Sequence, residues 1–196
     1  MRAFVGIDLT GPWRTALTEC ARAARDADPR WSDARWVPAE NLHITCVFLG
    51  DIAEETIDPI ITGFTGAVAD LPTFDLLLTE AVVGAPRRRA SRMLWTTFSD
   101  PSGTGARVVR ELQSVASLHG IETEERRFRP HVTLARARRP RSFHGLPDAE
   151  AILGTHLAAG PPYSMSVGKV TLYSSTLTTS GAIYERIADV PLSGGR

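Results

Sequence analysis

The sequence predicts an α+β fold built as one unit of two lobes. Three observations carry that expectation. Segments with strand alternation and segments with helical spacing interleave along all 196 residues, rather than falling into separate blocks. No linker or low-complexity tract divides the chain. One short pattern, His-x-Thr inside an apolar run, occurs twice, at His43-Ile44-Thr45 and His131-Val132-Thr133, 88 residues apart. Each copy falls in a half with two predicted helices, as an internal duplication would place it. Beyond the motif the halves share little sequence.

Residues 3–9 alternate and predict a first strand. Thr10-Gly11-Pro12 reads as a helix start, with Thr10 at the cap and proline in the first turn. Trp13, Ala16, Leu17, Cys20, Ala21 and Ala24 recur at helical spacing up to Asp28-Pro29. Arg35-Trp36-Val37 is a short strand, and the first motif strand spans 42–48, closed by Gly50-Asp51. Residues 53–69 carry a helical stripe of Ile57, Ile60, Ile61, Phe64 and Val68, and Pro59 must lie in the first turn or kink it.

Phe74 to Val83 and Met93 to Phe98 are strands around a basic loop at 84–91. Thr104 to His119 is an amphipathic helix stopped by Gly120. The second motif strand spans about 128–136, 137–147 is a basic loop, and Asp148 to Ala158 is a short helix. Tyr163 to Ser174 and Ala182 to Leu192 are the last strands. The expected total is eight strands and four helices.

Alternation sets the chemistry of the motif strands. In an extended strand, successive side chains point to opposite faces. His43 therefore shares a face with Thr45, and His131 with Thr133, while Leu42, Ile44, Cys46 and Phe48, like Val132 and Leu134, face a core. Strict alternation points Arg136 away from His131; it joins that face only where the strand ends or bulges.

The net charge is zero and Lys169 is the only lysine, so arginine supplies the positive charge. Seven arginines lie between Arg126 and Arg141 with no acid among them, and Arg87, Arg88, Arg89 and Arg92 form a smaller cluster. Arginine favours planar, bidentate contact with phosphate. Such a field suits a phosphate-bearing substrate or polymer, while a solvated loop balanced by Glu122, Glu124 and Glu125 is the plain reading. Cys20 and Cys46 read as two buried thiols, too few for a disulfide framework or a zinc site. No apolar run reaches the ~20 residues of a membrane span. Asp8 comes too early for a signal-peptide core, and a cytoplasmic protein is expected.

Of the five histidines, His119, His144 and His156 have no partner pattern. The repeated pair invites chemistry. Two histidines are too few for a typical catalytic zinc, which takes three protein ligands, and no nucleophile elbow is evident. Facing each other across a groove, one histidine can deprotonate a nucleophile while the other protonates a leaving oxygen. The threonine hydroxyls can donate to phosphoryl oxygens as charge develops.

The flanks of the motifs are more specific than the motifs themselves. They comprise Met1 to Leu9, Arg35-Trp36-Val37, Glu40 to Gly50, Leu94-Trp95, Phe128 to Arg136, Val170 to Ser175 and Gly181 to Tyr184. Together they resemble the 2H phosphoesterases, named for two H-x-T-x motifs, and within them the RNA 2′,3′-cyclic phosphodiesterase (2′-5′ RNA ligase-like) branch. The resemblance implies a single domain over residues 1–196. Its fold would be bilobed and pseudo-twofold, with two antiparallel sheets flanking a central cleft and helices outside. It implies a metal-independent hydrolase without cofactor that opens 2′,3′-cyclic phosphates at RNA ends to 2′-phosphates, with weak 2′-5′ ligation as the reverse. By the same resemblance His43 is the acid toward the leaving 3′ oxygen and His131 the base toward water. Thr45 and Thr133 would bind the phosphate, assisted by Arg136. Either histidine could chemically take either role. Alternative readings are a phosphodiesterase for a small nucleotide (a cyclic ADP-ribose phosphate or a 2′-5′ oligoadenylate) and a non-catalytic module that binds RNA ends. No membrane partner is expected, and a monomer is the default.

Overall fold

The structure is a computed structural model that describes residues 1–85, 90–124, 126–158, 160–179 and 181–194. The predicted basic residues Arg87, Arg88 and Arg89, and Glu125, lie outside the described residues. In chain order the elements are β1 (Arg2–Asp8), α1 (Gly11–Ala27), β2 (Arg35–Trp36), β3 (His43–Asp51), α2 (Ile57–Val68), β4 (Phe74–Ala85) and β5 (Ser91–Ser99). They continue with α3 (Thr104–Leu118), β6 (His131–Arg141), α4 (Ala149–His156), β7 (Ser164–Val167), β8 (Lys169–Leu177) and β9 (Ala182–Pro191).

All strand pairs are antiparallel, in the order β7-β4-β5-β6-β3-β1-β8-β9, with β2 on β6. The expected two sheets are joined into one curled sheet. The join is narrow: β3 meets β6 in register only at Ile44 opposite Val132. Apart from β2, four strands lie on each side of the join, in matching positions. β6 and β3 are central, β5 and β1 flank them, β4 and β8 come next. Each lobe therefore takes strands from both halves of the chain. The helices cross over in the same way: α1 packs with α4 behind β4 and β6, and α2 packs with α3 behind β9 and β3.

The helical stripes predicted from spacing are the buried ones. Trp13, Leu17 and Cys20 of α1, Ile60 and Phe64 of α2, and Val108 and Leu112 of α3 join one core with Val5, Ile44, Leu94, Val132 and Leu172 of the sheet. Burying such side chains is worth about 1.5–3 kcal/mol each. Pro59 sits in the first turn of α2. Gly120 follows α3 at φ +72°, the left-handed geometry that stops a helix at glycine. The opposite sheet face, bearing His43, Phe4 and Thr45, is left open as a cleft.

Several predicted boundaries move: α2 starts at Ile57, β4 runs to Ala85, β5 starts at Ser91 and β6 starts at His131. β6 runs on through Arg141, so residues 137–141 are strand and not loop. Ser91 pairs with Arg141 and holds that extension in the ladder. The strand expected at 163–174 breaks at Gly168 into β7, on β4, and β8, on β1. That break is where the chain leaves one lobe for the other. Nine strands result among the described residues.

Candidate active site

The site is built by two backbone irregularities at matching places. Along β3, Val5 of β1 is opposite Val47 and Gly6 is opposite Thr45, so Cys46 is an extra residue. Along β6, Leu94 of β5 is opposite Ala135 and Trp95 is opposite Thr133, so Leu134 is extra. Each bulge follows its motif threonine directly. One extra residue inverts the alternation beyond it. The third residue after each threonine therefore returns to the cleft face: Phe48 on β3 and Arg136 on β6, both lining the cleft with His43, Thr45, His131 and Thr133.

This corrects one expectation and resolves another. Phe48 does not face the core; it is 56% exposed, while Val47 and Leu49 are buried in its stead. Arg136 does reach the cleft, by the bulge that strict alternation lacks.

The join of the two lobes centres the site. Antiparallel pairing of Ile44 with Val132 sets His43 level with Thr133 and Thr45 level with His131. His43 Nδ1 lies 2.8 Å from the carbonyl of Asn41, and His131 Nδ1 lies 2.8 Å from the carbonyl of Arg129. A carbonyl only accepts, so each Nδ1 carries the proton, and in the neutral ring Nε2 is the unprotonated nitrogen. The Thr45 hydroxyl donates to His43 Nε2 at 3.0 Å. Burial pushes the pKa of both histidines down, against the pull of the two carbonyls. Arg136 lowers both further, and the Asp8 carboxylate raises His43 only.

The surroundings of the two rings differ. His43 sits among Phe4 (centroids 4.8 Å apart), Tyr184 (5.3 Å, edge-on) and Tyr173 (6.4 Å). His131 stacks on a single indole, Trp95, at 3.8 Å. Gly6 explains the difference. It faces Thr45 as Trp95 faces Thr133, and a Cβ there would come within 3.0 Å of the Ile44 carbonyl and 3.4 Å of His43 Cδ2. Glycine leaves the space that the His43 ring and Phe4 fill.

The turn before His43 is strapped in place. Arg14 of α1 donates to the carbonyl of Ala39 at 2.5 Å and to Asp8 Oδ1 at 2.6 Å. Asn41 Nδ2 donates to the carbonyl of Ala182 at 2.7 Å. Asp8 also accepts from Arg186, which pairs with Asp189. Sequence reasoning gave no role to Phe4, Trp95, Tyr184 or Arg14; a lone aromatic or arginine carries no such signal without the strand register.

The arginine run divides. Arg141 pairs with Asp33 and with the carbonyl of Arg30, so it fastens β6 to the turn before β2. Arg138 and Arg139 are exposed. Cys20 and Cys46 are free thiols, each pushed up to about 12 by burial. The cleft cavity measures about 410 Å³. Among the described residues no three His, Cys, Asp or Glu side chains cluster as a metal site, and no helix is long and apolar enough to cross a membrane.

The pattern of the 2′-5′ RNA ligase superfamily matches residues 12–178 of this chain. The chain belongs to that superfamily. It is 30% identical over its full length to the RNA 2′,3′-cyclic phosphodiesterase of Thermotoga maritima, covering 97% of that protein. It is 29% identical to the protein of that name from Methanothermobacter thermautotrophicus, covering 94% of this chain and 95% of the relative. Among solved structures, Thermus thermophilus TT0787 superposes with a TM-score of 0.74 at 22% identity, covering 98% of each chain. E. coli LigT bound to NADP+ superposes with a TM-score of 0.68 at 25% identity, covering 98% of this chain and 97% of that one. This superfamily member is thus a hydrolase of the cyclic phosphodiesterase type, and its fold is that of the LigT-like structures.

Proposed function

We propose that this chain opens 2′,3′-cyclic phosphates at RNA ends to 2′-phosphates, without a metal, by paired histidine catalysis. The carrying observation is the pair of Nδ1-anchored histidines, each presenting Nε2 to one cleft beside a threonine and Arg136. Water loses a proton to His131 Nε2 as its oxygen bonds to phosphorus. The P–O3′ bond breaks on the opposite side, and O3′ takes the proton from His43 Nε2. The products are a 2′-phosphomonoester and a free 3′ hydroxyl. Thr45, Thr133 and Arg136 donate to the non-bridging oxygens, where charge concentrates in the transition state.

Asp8 supports His43 as the acid, because its carboxylate favours the charged ring there and none does so at His131. A bound phosphodiester anion favours the same charged form. Each proton transfer contributes roughly 10²–10⁴ in rate. With an alcohol in place of water the same steps form a 2′-5′ linkage, the reverse of cleavage. We take the protein to act as one domain over residues 1–196, as a monomer in the cytoplasm, on RNA ends. Exposed Arg138 lies two residues beyond Arg136 on the same face of β6, in line for an RNA backbone.

The test is an assay with excess EDTA on an oligoribonucleotide ending in a 2′,3′-cyclic phosphate, with a 2′,3′-cyclic mononucleotide beside it. Turnover to a 2′-phosphate is expected, with the oligomer preferred. A 3′-phosphate product, or activity only with added metal, overturns the mechanism. Tight binding without turnover marks an RNA-end binding module, and preference for the mononucleotide marks a small-nucleotide enzyme.

A further inference from the structure

A second cavity, of about 620 Å³, opens against the sheet face of the other lobe. Its walls come from β4, β5, the start of α3 and residues 127–131. It shares one residue with the cleft, His131. Trp95, whose indole stacks on His131, forms its floor with Val83, and Phe128 lines a side. Arg127 and Arg129 are exposed there. Neither has an acidic partner among the described residues. Asp100 and Glu80 also line it, with Asp100 taking the N–H of Ala106 at 2.9 Å. The volume lies within the range of small-ligand pockets, roughly 300–1,000 Å³.

The wall chemistry selects the ligand class. Aromatic faces with a guanidinium beside them stack nucleobases. The Asp100 carboxylate in the same wall disfavours a second phosphate and accepts from sugar hydroxyls or base amino groups. The match is a nucleoside. The position selects its role. In an in-line displacement the nucleophile enters opposite the leaving oxygen. If His43 serves the leaving 3′ oxygen, the nucleophile arrives at His131, which also lines this cavity. Water needs no such room.

We propose that this cavity seats a second nucleoside, with its 5′ oxygen at His131 Nε2. The inference rests on the two-histidine reading above. In the forward sense the 5′ hydroxyl gives its proton to His131, O5′ bonds to phosphorus, P–O3′ breaks, and O3′ takes the proton of His43, leaving a 2′-5′ diester. In the reverse sense O3′ attacks phosphorus and gives its proton to His43, P–O5′ breaks, and O5′ takes a proton from His131. The products are a 2′,3′-cyclic phosphate and a 5′-hydroxyl nucleoside.

The test uses the whole protein and three substrates: 2′-5′ ApA, 2′,3′-cyclic AMP, and a 3′-5′ oligomer ending in a cyclic phosphate. Arg127→Ala removes one exposed guanidinium; Phe128→Leu keeps an apolar side chain where Phe128 crowds Gly105. Each variant is expected to lower kcat/KM for 2′-5′ ApA about tenfold relative to that for 2′,3′-cyclic AMP, the scale of one lost stacking or cation contact. An unchanged ratio in both variants, with thermal melting retained, overturns the proposal. So does a selective loss on the 3′-5′ oligomer, which assigns the cavity to the upstream RNA chain. A wild-type protein that hydrolyses 2′,3′-cyclic AMP but neither binds nor cleaves 2′-5′ ApA overturns this proposal alone. Failure on 2′,3′-cyclic AMP and the cyclic-ended oligomer alike overturns the underlying reading with it.

Discussion

β3 and β6 carry the same tripeptide, the same bulge one residue later and the same Nδ1–carbonyl anchor, yet they are furnished differently. At the third residue after threonine, β3 has Phe48 and β6 has Arg136. Opposite the threonine, β3 meets Gly6 and β6 meets Trp95. Opposite the histidine, β3 meets Asp8 and β6 meets Thr97. In the proposed mechanism the shared part supplies two equivalent proton carriers. The unshared part differs: an aromatic wall and a carboxylate on one side, an arginine and an indole on the other, and the proposed mechanism takes its direction from that difference. Under that proposal a symmetric backbone hosts an asymmetric reaction.

The largest effect should come from the shared part. His43→Gln and His131→Gln each remove one proton transfer and are expected to lower kcat by about 10²–10⁴. Similar losses from both would confirm equivalence in size. Their pH profiles should separate them. The base must be neutral, so the low-pH limb of the wild-type bell belongs to His131 and should flatten in His131→Gln. The acid must be charged, so the high-pH limb belongs to His43 and should flatten in His43→Gln. The opposite pattern exchanges the roles and breaks the directional half of the comparison.

The second effect addresses the residues that the bulges deliver. Arg136→Met removes a charge-assisted contact of about 1.5–3 kcal/mol, expected as a loss of roughly 10- to 100-fold in kcat/KM. Phe48→Ala, at the matching position, should raise KM and spare kcat. Equal kcat losses from both would erase the distinction between an anion side and a ring side.

These two residues also show where the sequence stops being readable. The His-x-Thr parity and the helical stripes were legible because each depends on spacing within one segment; the ninth strand was not, because the break at Gly168 depends on β7 pairing with β4 and β8 with β1. The bulges at Cys46 and Leu134 depend on the register against β1 and β5, which no single segment carries. Phe48 therefore read as core, and Arg136 read as pointing away. The same limit hid Arg14, whose partners Asp8 and Ala39 lie on different elements. Arg138, Arg139 and Arg141 looked alike in sequence, and only contacts with Asp33 and the Arg30 carbonyl, both remote in the chain, set Arg141 apart.

A third, smaller effect concerns that strap. Arg14 ties Asp8 to the turn whose Asn41 carbonyl holds His43, and no arginine does this for His131 among the described residues. Arg14→Met is expected to lower kcat about tenfold, below the hundredfold that an ångström of misplacement can reach. Its signature is a shift of the high-pH limb alone, the limb assigned to His43. A shift of both limbs, or a KM effect without kcat, would mean that Arg14 acts on the fold or the substrate and not on His43.

The smallest effect is on stability, and it falls on both strands alike. Burial lowers the pKa of His43 and His131 below the ordinary value near 6.5. The unfolded chain then binds more protons than the folded one as pH falls through that range. Their contribution is therefore present above about pH 6.5 and is lost progressively below it, toward and through the lowered folded pKa values. Urea melts of the wild type and of the His43→Gln/His131→Gln double variant, run from pH 8 to pH 5, isolate this term. The wild type should lose stability relative to the double variant as the pH drops, with each single variant in between. Parallel curves would show that the rings exchange protons with solvent as freely folded as unfolded. Desolvation would then have to be discarded as the force that keeps Nε2 of both histidines unprotonated in the free cleft.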